Sequence, residues 1–151
     1  MVEDLDLAPD DRVLLLSLPS VEILRRIAAQ LKRGGVVGLG GRDEVYEARR
    51  AVRDLVNVML HPGPPEDIPF RDGFFTKVIG FECRWSDAAL VALETARVLA
   101  GEGRAYLSGL EEPEPFRSAG LDERPRAGGW AVFEKPPDPP RPAVLPVIPG
   151  P

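Results

Sequence analysis

The chain has 151 residues and a formal net charge of -5, a length that suits one domain with its own core and leaves too little for a substantial second one. The acidity is mild and spread out, with no cluster of lysine or arginine, which argues against direct binding of nucleic acid. One cysteine, Cys83, and one histidine, His61, exclude an internal disulfide and the usual zinc-ligand combinations, so a reducing cytoplasm fits and no metal is expected.

No apolar run approaches the roughly 18 residues of a membrane span. The acidic opening "MVEDLDLAPDD" is unlike a signal peptide, which is basic and then apolar. Basic residues are nearly all arginine, a skew that matches GC-rich bacterial coding and says little about chemistry.

In chain order, "RVLLLSL" (12–18) is a short continuous apolar run, as expected for a strand buried on both faces of a parallel sheet. "SVEILRRIAAQLKRGG" follows with Ile23, Ile27 and Leu31 at helical spacing, Ser20 placed as N-cap and Gly34 as the stop. "VVGLG" (36–40) predicts a second strand, and "RDEVYEARRAVRDL" a helix with Val45, Ala48 and Val52 on one face. "VNVML" (56–60) predicts a third strand. Four prolines in "HPGPPEDIPFRDGF" forbid a regular helix, so that stretch crosses to the next strand as a loop.

"FFTKVIGF" (74–81) reads as the fourth strand. "SDAALVALETARVLAGEG" reads as a helix with Leu90, Leu93 and Ala96 on one side, Ser86 as N-cap and Gly101 as stop, and "RAYLSGL" (104–110) as the fifth strand. This β-α-β-α-β-loop-β-α-β order implies a mostly parallel sheet covered by helices. "EEPEPFRSAGL" holds at most a short helix, and "DERPRAGGWAVFEK" reads as two strands turning at Ala127-Gly128-Gly129. Residues 136–151, "PPDPPRPAVLPVIPGP", are half proline and predict an extended tail beyond a domain of residues 1–135.

The order of elements and several phrases resemble the class I S-adenosylmethionine-dependent methyltransferases, especially those acting on small molecules. "LAPDDRVLLL", "GGVVGLGGRDEVYEARR", "NVMLHPGPPEDIPFRDGFFTKVIG" and "ETARVLAGEGRAYLSG" carry the resemblance in the family's order and spacing, and "SAGLDERPRAGGWAVFEKP" is similar to its last strand pair. The resemblance covers about Leu7 to Lys135. It implies a Rossmann-like α/β fold with sheet order 3-2-1-4-5-7-6 and an antiparallel seventh strand.

It also implies where the cofactor would sit, and those positions depart from the family pattern. The acid and the Gly-x-Gly-x-Gly turn of the first motif correspond to Leu15, Ser17, Pro19 and Val21. The ribose-binding acid at the end of the second strand corresponds to Gly40, and the acid of the adenine-side loop to Pro64. Glycines permit close approach and positive φ, whereas proline fixes φ near about -65° and lacks an N–H. Of the neighbouring acids, Asp43 suits the N-terminal dipole of the second helix, and Glu66 and Asp67 stand in the loop as possible substitutes. Ser17, Pro19, Gly40, Glu66 and Asp67 are therefore the cofactor-binding or family-equivalent positions, read as vestigial. No catalytic residue is assigned.

Other candidates carry weaker signals. Cys83, in "GFECRW", lies where an open α/β sheet presents ligand contacts, but the reading as a half-buried structural cysteine is favoured. Glu82 and Asp87 could pair as acids, although Asp87 also suits a helix start. His61 is the one imidazole available as a general base, against a solvated loop histidine. Trp85 and Trp130 are either anchors for a partner or covers for the sheet ends. "PPDPPR" matches a minimal polyproline ligand, against a tail that is solvated or packed along its own domain through Val144, Leu145, Val147 and Ile148.

The reading that follows is a cytoplasmic methyltransferase-like protein without conventional S-adenosylmethionine binding, acting as an interaction or regulatory subunit or as a homo-oligomer. The alternative is an active methyltransferase on a small molecule with an atypical cofactor loop. Methyl transfer mainly needs donor and acceptor held in line, so a missing catalytic set does not oppose that alternative.

Overall fold

The apolar run after the acidic lead forms strand β1, Arg12–Leu15, in the computed structural model, which describes residues 1–140. Helix α1, Val21–Gln30, follows, with the Ser20 Oγ accepting from the Ile23 N–H at 3.3 Å. Strand β2 spans Gly35–Gly40, helix α2 Arg42–Val52 and strand β3 Val58–Pro62. A loop leads to β4, Phe75–Gly80, then helix α3, Ala88–Val98, and strand β5, Leu99–Ser108. A short helix, α4, Glu114–Ser118, precedes the hairpin of β6, Asp122–Ala127, and β7, Trp130–Glu134.

All seven strands form one sheet of order β3-β2-β1-β4-β5-β7-β6. The first five are mutually parallel and β7 runs antiparallel between β5 and β6. The expected topology is therefore present in full. Helices α1 and α2 cover one face over Val13, Leu15, Val36, Leu60 and Ile79; α3 and α4 cover the other over Leu14, Val78, Leu107 and Phe133.

Local departures from the sequence reading have physical causes. Helix α1 stops three residues short of the expected end, with Leu31 as C-cap, and Gly34 serves a different purpose. A Cβ at Gly34 would run into the Asp11 carbonyl oxygen, so glycine is required for the close passage of two chain segments. Asp87, not Ser86, caps α3, its Oδ1 accepting from the Leu90 N–H at 3.1 Å. Gly101 does not stop that helix either, because α3 runs directly into β5 and Gly101 lies within the strand. The buried side of α3 is Val91, Ala92, Thr95 and Val98, while Leu90 and Leu93 are about half exposed.

Two polar clusters hold the frame. Asp11, buried before β1, accepts from the Ala8 N–H (2.7 Å), the Thr76 hydroxyl (2.7 Å) and the Lys77 Nζ (3.1 Å). Arg97 gathers the proline-rich loop after β3 by donating to the Ile68 and Phe70 carbonyls, each at 2.8 Å, and by pairing with Asp72 and Glu94. Glu94 completes this clamp by accepting from the Ile68 N–H at 2.8 Å. Beyond Lys135, Asp138 packs against Gly101. The expected extended tail falls partly, and its four apolar residues wholly, outside the described residues.

Candidate ligand cleft at the carboxyl edge of the sheet

Parallel strands end at one edge of an open α/β sheet, and there the loops after β1, β2, β3 and β4 enclose a cleft of about 560 Å³. Its walls include Leu18, Gly40, Arg42, Pro64, Phe81 and Trp85. Arg42 and Arg84, both exposed and both lining the cleft, have no ion-pair partner among the described residues. Such a cleft can receive a small molecule of mixed polarity.

The residues singled out from the sequence separate into three groups. Ser17 and Gly40 line the cleft, and the Ser17 Oγ donates to the Phe81 carbonyl at 3.3 Å, tying the turn after β1 to the turn after β4. Pro19 lies on the other side of that turn, against a second cavity. Glu66 and Asp67 are absent from the cleft's lining, whereas Pro64 and Pro65 belong to it. Asp43 sits in the first turn of α2, where an acid suits the helix dipole, and Glu44 accepts from the Gly41 N–H at 3.0 Å.

Leu18 was not anticipated. Its side chain lies across the end of β2, so close that a Cβ at Gly38 would stand 2.6 Å from its Cδ2 and a Cβ at Gly40 2.9 Å from its Cδ1. Alternating glycines share one face of a strand, and in "VVGLG" that face is the one Leu18 covers. Two glycines spaced by one residue were the available signal that something bulky lies on them.

Glu82 adopts φ +47°, the left-handed region that non-glycine residues rarely occupy. It is held there from β5: its N–H donates to the Ser108 Oγ at 3.0 Å and the Cys83 N–H to the Ser108 carbonyl at 2.9 Å. Gly109, itself at φ +67°, passes so near that a Cβ would meet the Glu82 Cα at 3.3 Å. No hydrogen bond or ion pair engages the Glu82 carboxylate among the described residues. No hydrogen bond joins Glu82 and Asp87 among the described residues, and the Asp87 carboxylate caps α3.

The remaining candidates take structural places. Cys83 is buried, and that burial, with the neighbouring charge of Glu82, pushes its thiol up to about 12. His61 stands in β3 opposite Leu39. Trp130 is fully buried, with its Nε1 donating to the Met1 carbonyl at 2.8 Å, and the half-buried Trp85 packs on Phe116 with ring centres 5.7 Å apart. Among the described residues no group of three His, Cys, Asp or Glu could hold a metal ion, and no helix is long and apolar enough to cross a membrane.

No family model matches the sequence. A curated protein of Bacillus subtilis (strain 168), "Putative methyltransferase YrhH", is 32% identical over 112 residues, covering 72% of this chain and 62% of that relative. The chain thus spans less than two thirds of the relative's length. Among solved structures, a chain from the "Complex between the Haloferax volcanii Trm112 methyltransferase activator and the putative methyltransferase" superposes with a TM-score of 0.76 at 20% identity, over 89% of this chain and 87% of that one. A SAM dependent methyltransferase from Aquifex aeolicus gives 0.71 at 14% identity, over 87% and 84%. At such identities these two likenesses concern the fold.

Proposed function

We propose, from the 32% identity to a putative methyltransferase and the shared fold, that the chain is a methyltransferase-like protein without conventional S-adenosylmethionine binding, serving as a non-catalytic interaction or regulatory subunit in the cytoplasm. One observation carries the reading: Leu18 occupies the space that any side chain at position 40 would need. In the family a carboxylate at that point holds the ribose hydroxyls; at Gly40 the carboxylate is absent and a leucine lies over the position. A site built on hydrogen bonds loses much of its affinity when a partner is removed. Pro19 adds to the loss, since the turn after β1 gives up an N–H there.

Residues 1–135 would form the methyltransferase-like domain, with the proline-rich stretch 136–151 as an appendage. A protein partner is supported by the Haloferax relative, which is in complex with an activator protein. A homo-oligomer would meet the same need. The second reading, an active methyltransferase with an atypical loop, draws on the cleft itself, which stays open at about 560 Å³.

Calorimetric titration with S-adenosylmethionine and with S-adenosylhomocysteine separates the two. Silence in both titrations is the expected result. Micromolar affinity for either ligand would overturn the proposal in favour of the enzyme reading.

A further inference from the structure

Strand β3 is one end of the sheet and β6 the other, and the two edges are finished differently. Strand β6 carries Asp122, Glu123, Arg124, Pro125 and Arg126, the charges and proline that keep an exposed edge from pairing. Strand β3 has no aspartate, glutamate, lysine or arginine, and its proline comes last. The Asn57 carbonyl accepts from the Val36 N–H at 2.9 Å and the Gly63 N–H donates to the Gly40 carbonyl at 3.0 Å, so the odd-numbered positions face β2. By alternation the N–H and C=O groups of Val58 and Leu60 point outward, away from the sheet. We propose that this edge takes an added strand from a partner protein, an extended segment in which acidic and apolar residues alternate.

The chemistry of the partner follows from what flanks the edge on each face of the sheet. On one face Arg42, Tyr46, Arg49 and Arg53, all exposed, follow at intervals of four, three and four residues and so share one side of α2 and its C-cap. Arg49 donates to the outward Leu60 carbonyl at 2.8 Å, which sets that side of the helix beside the free edge, while Ala51 and Asp54 on the other side take Arg25 of α1. Three arginines and no acid make the stripe positive in a chain whose net charge is -5. On the opposite face Met59 is 57% exposed, and with Val37, Val56 and Phe74 it lines an apolar groove of about 350 Å³. Successive side chains of an added strand alternate between these two faces: its acids meet the arginines, its apolar residues enter the groove, and its backbone bonds Val58 and the Leu60 N–H. A second copy of β3 is the poorer occupant, because two-fold pairing sets one arginine stripe against the other. The proposal rests on the reading of the chain as an interaction subunit, but the two fail separately: a peptide that does not bind leaves the cofactor titrations as they were, and cofactor binding does not fill this edge.

The test titrates the full chain with a blocked heptapeptide alternating glutamate and valine, followed by amide chemical shifts, with lysine-for-glutamate and serine-for-valine peptides as controls. Shifts are expected at residues 56–62 and along 42–53. The acidic, apolar peptide should bind about tenfold more tightly than either control, and more weakly as salt rises from about 50 mM to about 300 mM. Val58→Pro removes an outward donor and leaves the bonds to β2 in place, so it should abolish binding. Arg53→Glu, at the exposed C-cap of α2, serves if that variant fails to fold: it should weaken binding about tenfold. Equal affinity for the lysine peptide, shifts located elsewhere, no binding at millimolar peptide, undiminished binding in either folded variant, or a parent chain that dimerises through residues 56–62 without peptide would each overturn the proposal.

Discussion

Substituting Gly40 by Asp puts the competition between position 40 and Leu18 to a direct test. In the parent chain a Cβ at position 40 would lie 2.9 Å from the Leu18 Cδ1 and 3.0 Å from its Cγ, so the leucine must move. Overpacking of this kind costs about 1–3 kcal/mol, and we expect about 2 kcal/mol for Gly40→Asp. Leu18 is half-buried, and removing its outer carbons in Leu18→Ala costs about 1 kcal/mol at roughly 0.8 kcal/mol per fully buried methylene. With the leucine already truncated, the clash is gone. The double variant should then lose about 1 kcal/mol, against about 3 kcal/mol if the two losses simply added. A coupling of about 2 kcal/mol is well above the roughly 0.5 kcal/mol scatter of independent sites, and urea unfolding of the four proteins measures it. Additive losses, or a Gly40→Asp variant as stable as the parent, would refute the argument that Leu18 has taken the place of an acid.

Other consequences of the structure can be checked separately. Arg97→Ala should cost about 2–3 kcal/mol, because it leaves the Ile68 and Phe70 carbonyls without their charged donor; hydrogen exchange should then accelerate across residues 63–74 before it does so in the sheet. Thr95 is fully buried with its Oγ1 unpartnered among the described residues, so Thr95→Val should be neutral or stabilising by up to about 1 kcal/mol in thermal unfolding. Cys83, its thiol pushed up to about 12 by burial and then by Glu82, should resist a maleimide at pH 8 in the folded protein and react once urea unfolds it. For Asp11, burial alone would raise the carboxyl, but hydrogen bonds from Ala8, Thr76 and Lys77 outweigh it and hold it below the usual carboxylate range. Its folded-state value being the lower one, its contribution is complete above about pH 3.9 and fades as pH falls through the folded value. Urea midpoints should drop in that acid range, and Asp11→Asn should flatten the drop.

Much of the architecture was legible because it rests on short-range patterns. Strands buried on both faces read as continuous apolar runs, and Ser20 and the Gly128-Gly129 turn mark boundaries that the chain observes. The misread boundaries each depended on a neighbour distant in sequence. Gly34 reads as a helix stop until Asp11 is known to pass beside it, and Gly101 reads the same way until β5 is seen to take it up. The exposure of Leu90 and Leu93 could not be foreseen from spacing, since Val91, Thr95 and Val98 make an equally good helical stripe. At the site, the departures at Ser17, Pro19 and Gly40 were visible one by one. That Leu18 unites Gly38 with Gly40, and that Ser108 and Gly109 hold Glu82, are relations between strands, which no single segment displays.

The bond from the Trp130 indole to the Met1 carbonyl also orders events in time. During synthesis, residues 1–5 leave the ribosome well before β7 exists, by on the order of ten seconds at ordinary elongation rates. Val2 and Leu5 are almost wholly covered in the finished fold, in a cluster that includes Leu24 and Ile27 of α1 as well as Trp130, so for that interval their cover is incomplete. Docking of residues 1–5 on Trp130 waits for that strand, although Glu3 can meet Arg26 of α1 sooner. Loss of that hairpin would therefore uncover Val2 and Leu5 along with the edge of β5 that β7 covers.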